Sequence, residues 1–474
     1  MAKYPKVTEE ELVSRIKTEI TDSLGYGDEI SKQRETAMEY YYGLPFGNEV
    51  EGRSQFVDST VADTIEWIKP SLMRVFASGD EMVKFSPHGP EDVQMAEQAT
   101  DYVNYVFTKD NPGWEILYSW FTDALLSKNG IVKVWWDEYS EEQREEYSGL
   151  DDMGIQALLM DEGVEVMEHT AYEDSSGYGG EAGGVPQMLH DVVIKRTNYD
   201  GRIKIENVPP SEFLISREAK HINDARFVCH RVKKTLSELR EMYPDENLGP
   251  EDLSSGEYDD VFPGERESRF NFDNSSGFMF GESEHEEALR SYWLHESFLK
   301  TDFNSDGIAE LRKVCTVGDK VLQNDEIDSI PFVSITPVKI PHKFFGLSVA
   351  DLVMDLQLMK STLTRNLMDN MYNQNFGRYA VIEGQANLDD LLTQRPGGVV
   401  RVKAPGAVTR LDTPTLEPHS FEMLKYIDGV RESRAGVTKY SQGMNENALT
   451  SHTTATAVNA VMTAAQSRVE LIAR

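Results

Sequence analysis

Cysteine is almost absent from this chain of 474 residues: Cys229 and Cys315 are its two. They lie far apart and have no zinc-ligand spacing, so neither a disulfide framework nor a zinc module is expected. Two buried or half-buried thiols in a reducing cytoplasm is the plain expectation. No run of about 18 apolar residues occurs, so no transmembrane helix is expected. The N-terminal Met1-Ala2-Lys3-Tyr4-Pro5-Lys6 has no apolar stretch and does not read as a signal peptide. Catalytic signatures are missing too. There is no G-x-x-x-x-G-K-[ST] loop, no H-E-x-x-H and no G-x-S-x-G. The ten histidines are scattered. His230 and His295 fall in strand-like runs and read as structural. The expectation is a protein that is not an enzyme and carries no cofactor.

Positive charge is scarce. Lys and Arg total 47 against 81 Asp and Glu, a net charge of −34. Holding nucleic acid by general phosphate neutralisation needs clustered cations, which this balance excludes. Two readings remain: a solvated acidic surface that keeps the chain soluble, or a protein that meets DNA without sticking to it.

What is present is globular. Hydrophobic residues make up 39% and aromatics 10%, and the length suits roughly three domains at about 150 residues each. The first third reads as helices at 9–24, 28–42, 59–76, 91–107 and 114–128, each with apolar residues at helical spacing. Pro70 lies inside the third and is a possible kink. A strand follows at 131–136. The middle third reads as short strands at 164–169, 191–197, 203–208 and 213–216, then at 289–298, 309–317 and 320–323. Two polar stretches, 173–188 and 244–286, are too poor in aliphatics to offset their ordering entropy and read as mobile surface loops. The last third opens with a helical pattern over 348–376 without Gly or Pro, a rod of roughly 40 Å. Its stripe, Leu352, Leu356, Leu363 and Leu367, predicts packing against a second helix at 420–434. Between them lies a turn-rich segment with strands at 379–383 and 398–403. A polar linker, 439–453, leads to a final helix that stops in mid-pattern, so the natural protein is expected to continue. The fold class is α+β.

One segment has the look of a metal site. Asp302, Asn304 and Asp306, with Gly307 at the turn, fit the first half of an EF-hand loop. The twelfth position is Lys313 rather than a bidentate acid, and the flanks read as strands. A hairpin turn over 302–310, without metal, is therefore the expectation, and a calcium-dependent structural or binding protein is the alternative. A third reading, a hydrolase with an unrecognised carboxylate site, has little support, because 81 acids place pairs together by chance. Local basic residues, Arg378, Arg395, Arg401, Lys403 and Arg410, gather in the turn-rich segment. They read as a solvated surface or as a patch for an acidic partner or DNA.

The layout of long helix, small insertion, second helix, polar loop and further helix resembles a phage portal protein of the P22-like family. The segment 345–352 (Phe-Gly-Leu-Ser-Val-Ala-Asp-Leu) is similar to the entry of a portal stem helix. The segment 367–372 (Leu-Met-Asp-Asn-Met-Tyr) is similar to its far end. The stretches 395–398 (Arg-Pro-Gly-Gly) and 402–408 (Val-Lys-Ala-Pro-Gly-Ala-Val) resemble a clip, and 430–438 the second stem helix and its exit. Stretches 453–458 and 468–474 resemble the start of a crown. Earlier, 64–70 (Thr-Ile-Glu-Trp-Ile-Lys-Pro) resembles a wing helix, and 306–312 a wing hairpin.

The resemblance implies a portal fold. A mixed wing would span 1–337, helical over 1–129 and β-rich over 130–337. Stem helices would occupy 338–376 and 419–436, with a small α/β clip at 377–418. A tunnel loop would cover 437–453 and a crown helix would start at 454–474. It implies a homo-oligomeric ring, usually of twelve subunits, around a DNA channel. The implied partners are terminase, head–tail adaptors, major capsid and scaffolding proteins, and double-stranded DNA without sequence specificity. No membrane is implied. Its place would be the portal vertex of the virion, after assembly in the host cytoplasm. Lys439, Tyr440, Gln442, Asn445 and Asn447 would face the channel. The five basic residues above would meet partners or neighbouring subunits at the clip.

Overall fold

The computed structural model describes residues 7–77, 79, 81–161, 163–174, 187–244, 246, 248–250, 262–270, 287–393, 397–411, 418–436 and 472. Most of the two polar stretches, Arg395, and the expected tunnel loop and crown (Ile472 apart) lie outside the described residues. Lys439, Tyr440, Gln442, Asn445 and Asn447 are among those left out.

The chain is a mixture of helix and sheet, as the α+β reading requires. The first elements are α1 (Glu9–Tyr42), α2 (Thr60–Phe76), α3 (Val93–Tyr105) and α4 (Gly113–Ser127). Then come β1 (Gly130–Leu150), α5 (Asp152–Leu159), β2 (Val164–Asp174), β3 (Gln187–Val208) and β4 (Phe213–Ile215). The middle continues with β5 (Phe227–Thr235), α6 (Leu236–Met242), α7 (Pro263–Phe270), β6 (Ser291–Thr301), β7 (Glu310–Val317), β8 (Lys320–Glu326) and β9 (Phe332–Ile335). The last described elements are α8 (Val349–Asn375), β10 (Tyr379–Val381), α9 (Leu388–Leu392), β11 (Val408–Arg410) and α10 (Pro418–Ala435).

The two helices expected at 9–24 and 28–42 are one. Thr8 caps α1 by accepting from Glu11 N, and Glu9, Glu10 and Glu11 fill its first turn, where the helix dipole favours carboxylates. Gly43, at φ +67°, ends it. Gly25 and Gly27 lie inside and do not break it. A Cβ on Gly27 would fall 2.7 Å from the Phe262 ring. Close packing therefore offsets a propensity cost of about 1 kcal/mol. Pro70 likewise sits within an unbroken α2.

The residues cluster in two compact units. The larger takes Met1–Lys84, Trp114–Lys133 and Asn207–Arg474, and the smaller takes Phe85–Gly113 and Val134–Glu206. In the smaller unit the strand order is β2-β3-β1, with β2 and β3 antiparallel from Val164↔Arg196 to Asp174↔Gln187. The strands expected at 191–197 and 203–208 are merged in β3. Asn111 ties the end of the α3 region to that strand: its Nδ2 donates to Ile203 O at 2.9 Å, and its Oδ1 accepts from Ile205 N at 3.0 Å.

The larger unit holds a five-stranded sheet of order β4-β5-β6-β7-β8, antiparallel throughout. α1 lies against it: Leu12, Ile16 and Ile20 share a core with Leu214, Phe227, Leu299 and Val314. On the other side Phe213, Val228 and Phe298 meet Phe332, Phe344 and Phe345. Strand β9 pairs with Gly130–Lys133 of β1.

A buried ion cluster crosses this sheet. The Glu296 carboxylate is held by Lys133, by His230 Nδ1 at 3.1 Å and by Lys313 at 3.6 Å. Burial alone would raise its pKa. The bonds from His230 and Lys133 prevail and hold it well below the carboxylate range. His295 is pushed down to about 4 by burial and by Arg231. Both cysteines are buried and unbridged.

Candidate functional site

Helix α8 organises the last third. It contains no Gly or Pro, which suits the expected rod. Ser348 and Asp351 form a reciprocal cap: Asp351 N donates to Ser348 Oγ at 3.0 Å, and Ser348 N donates to the Asp351 carboxylate at 2.8 Å. The same carboxylate takes Lys128 Nζ at 2.6 Å.

The buried face of α8 differs from the leucine stripe read in the sequence. Leu356 is buried, but Leu352, Leu363 and Leu367 are half-buried. The hidden residues are Val349, Ala350, Val353, Leu356, Gln357, Ser361 and Arg365. From Gln357 onward this face is polar because it grips main chain. Backbone groups hidden against a helix need partners, and side chains four residues apart supply them in turn. Gln357 Oε1 accepts from Val61 N at 2.8 Å, and its Nε2 donates to Tyr40 O at 2.8 Å. Ser361 Oγ accepts from Asp58 N at 2.9 Å. Arg365 donates to Phe56 O at 2.6 Å, Asn48 Oδ1 at 2.7 Å and Glu49 Oε1 at 2.5 Å. Asp369 accepts from Ser54 N at 2.8 Å.

Helix α10 packs on α8, as the sequence led one to expect. Lys360 bridges Asp58 and Asp428 at 3.2 Å each. Arg434 reaches Asp355 at 2.7 Å and Leu352 O at 3.0 Å. Arg431 lies over the Trp67 ring of α2, 4.4 Å from its centroid.

Beyond Arg365 burial falls away, and 366–376 are all half-buried or exposed. The chain then forms a two-stranded ribbon with register Tyr379↔Arg410 to Val381↔Val408. The strand expected at 398–403 is not formed: its Val402 makes one bridge, to Ala386, and the ribbon's second strand is β11. Arg378, Arg401, Lys403 and Arg410 are all exposed here. Arg401 is engaged within the chain, forked onto Asp390 at 2.6 and 2.9 Å. That fork holds the Asp390 carboxyl below its usual range. Arg410 donates to Gln374 O and covers Gly377. Apolar side chains face outward alongside them, including Tyr372, Phe376, Tyr379 and Ile382, with Leu392 and Val399 79% and 82% exposed.

The Asp302 turn joins β6 to β7, as a hairpin should. Its carboxylate is occupied by main chain, accepting from Asp306 N at 3.1 Å and Gly307 N at 2.9 Å, while Asp306 accepts from Ile308 N at 2.7 Å. Among the described residues no group of three or more His, Cys, Asp or Glu is placed to hold a metal ion. No described helix is long and apolar enough to cross a membrane.

Comparison with known proteins adds the identity that geometry alone does not carry. No curated protein is significantly similar to the chain. A family model described as phage SU10 portal protein matches residues 12–474. That match takes in both compact units and every element from α1 to α10, and the family is a structural one: the chain belongs to the phage SU10 portal protein family.

Proposed function

We propose that this chain forms the ring-shaped channel at one capsid vertex, through which the genome is packaged and ejected. On this reading α8 and α10 are the stem, 377–418 the clip, 437–453 the tunnel loop, and 454–474 the start of a crown. The ring has about twelve copies, as portals generally do. It docks terminase and then head–tail adaptors at the clip, and it meets capsid and scaffolding proteins around its rim.

One observation carries the reading: the outward-facing apolar side chains of α8's far end and the ribbon beyond it, in a chain of a portal family. Soluble monomers rarely leave so many large apolar groups uncovered in one stretch. Head-to-tail contacts that close on themselves would cover them in every copy. The charge agrees. A dozen chains at −34 each make a wall of roughly −400. DNA passing such a wall finds no continuous basic track and slides. Lys439 and Tyr440, with Gln442, Asn445 and Asn447, supply the local contacts, and Arg378, Arg395, Arg401, Lys403 and Arg410 the contacts at the clip.

Native mass spectrometry and class averages of the purified protein test this. A closed ring with a central hole is expected. A monomer or isologous dimer at every salt concentration would sink it. Lys439→Glu should change DNA packaging or retention while leaving ring assembly and melting unchanged. Normal packaging and retention by that ring would argue against a channel-facing Lys439.

A further inference from the structure

The acidic chain has a concave place where three cations face one acid. A hollow of about 260 Å³ opens between α1 and the edge formed by the start of β5 and the end of β6. Arg15, Thr18, Glu19, Arg226, Lys300 and Thr301 line it. Arg15 Nη1 donates to Thr301 Oγ1 at 3.0 Å, which aims the guanidinium and leaves the Thr301 O–H to donate. Arg226 Nη2 meets Glu19 Oε1 at 3.1 Å. The Lys300 backbone N–H donates to Arg226 O at 3.1 Å, so these two basic residues are fixed side by side across the strands. Arg15 and Lys300 form no ion pair among the described residues. Three cations against one carboxylate leave two positive charges without a counter-charge.

We propose that this hollow binds a phosphate dianion, either free inorganic phosphate or a phosphomonoester. The reasons are charge, shape and donors. Two uncompensated positive charges match a dianion, whereas a single carboxylate or a DNA phosphodiester brings one negative charge. Guanidinium forks and an ammonium give phosphate oxygens several charge-assisted hydrogen bonds at once. The site is a hollow rather than a ridge, so a compact ion or a chain end enters it more easily than a rigid duplex does. The long-range field of a −34 chain repels anions. Binding there therefore depends on this local cluster, and its loss should show cleanly.

The test is titration calorimetry of the purified, assembled protein at low ionic strength. Inorganic phosphate and O-phosphoserine are the probes, and a short duplex without terminal phosphates is the diester control. Saturable binding is expected. Arg15→Ala with Lys300→Ala should weaken it by about tenfold or more, the scale of lost charge-assisted bonds. Glu19→Gln should tighten it severalfold, because it removes the competing carboxylate and frees Arg226. A variant that merely disturbs the fold would not tighten binding. O-phosphoserine should also bind more strongly as pH rises through about 6, where its second proton leaves. Whichever probe binds more tightly identifies the source of the phosphate. The proposal is overturned if neither probe binds, if Glu19→Gln leaves affinity unchanged or weaker, or if the duplex control binds this site more tightly than either probe.

Discussion

Strand β6 and the stretch from Phe376 to Leu411 lie in the same compact unit and are built on opposite terms. In β6, every residue from Tyr292 to Leu299 is buried, a carboxylate included. In the stretch 376–411, Gly377 and Ala407 are the buried ones among the described residues, while large apolar side chains face out. The first region satisfies its charges and apolar groups within one chain. The second satisfies its hydrogen bonds locally, with Arg401 on Asp390 and Arg410 on Gln374 O, and leaves its apolar surface open. Self-sufficiency in one place and incompleteness in the other is what a subunit needs if it folds first and assembles afterwards. Mutations should separate the two on the stability of the single subunit.

The largest effect belongs to the sheet. Glu296→Gln leaves Lys133, His230 and Lys313 gathered around a neutral group in a buried place. Breaking a buried pair in this way costs about 3–5 kcal/mol, measured by chemical denaturation at low protein concentration. The pH dependence has a fixed sign. The folded pKa of Glu296 is depressed, so its contribution is whole above the unfolded carboxylate range and is lost as pH falls through and below it. His295 adds a second step of the same sign. Its folded pKa of about 4 lies below that of a free imidazole. Between about pH 6.5 and 4 the unfolded state binds the extra proton and stability drops with pH. His295→Gln should flatten that part of the curve. If His295→Gln leaves the slope between about pH 6.5 and 4 unchanged, His295 is not held neutral.

Next comes the gripping face of α8. Arg365→Met removes three hydrogen bonds to the segment around 48–56 and takes the counter-charge from the Glu49 carboxylate, leaving it to the backbone N–H groups of Phe46 and Gly47. A loss of about 3 kcal/mol is expected. Leu363→Asp is the sharper contrast. Were the leucine stripe the buried one, it would cost several kcal/mol. With Leu363 half-buried, a loss nearer 1 kcal/mol is expected. If Leu363→Asp proves the more damaging of the two, the polar face is not what holds α8.

That contrast shows what the sequence made legible. The extent of α8 could be read because Ser348 and Asp351 announce the cap and nothing after them breaks the helix. Its pairing with α10 could be read from the apolar spacing. The gripping residues could not, because Gln357, Ser361 and Arg365 look like solvent positions until the partner is known to be main chain from 300 residues away in sequence. Strand β5 was read only as a strand-like run around His230, without bounds, for a related reason. Phe227 to Arg231 are buried without interruption, so the alternation that marks a half-buried strand is absent. Lys133 and Glu296 carry no signal at all, since a buried ion pair looks like two surface charges. In the expected clip the described basic residues are exposed, yet Arg401 and Arg410 are engaged within their own chain.

A smaller effect is expected at the hairpin that ends β6. Asp302→Ala removes the acceptor for Asp306 N and Gly307 N in an exposed turn, which costs about 1 kcal/mol. On the reading that the carboxylate serves main chain and not an ion, the loss should be the same with calcium or with chelator. A stabilisation by calcium that Asp302→Ala abolishes would restore the EF-hand reading of this loop.

The smallest effect on the subunit, and the one that bears most on assembly, lies in the open stretch. Phe376→Ser and Tyr379→Ser replace rings that are exposed in the single chain. An exposed ring adds little to the fold, so each change should move subunit stability by less than about 0.5 kcal/mol. In the proposed ring the same side chains would lie against a neighbour, and removing them would cost the burial of their apolar area, on the order of 1–3 kcal/mol per interface. That cost recurs at every interface around the ring, so a change invisible in subunit unfolding should raise the protein concentration needed for assembly by tenfold or more. Native mass spectrometry across a dilution series, alongside denaturation of the same variants, measures both quantities. If the double variant unfolds normally and assembles at the wild-type concentration, this face is not buried between subunits.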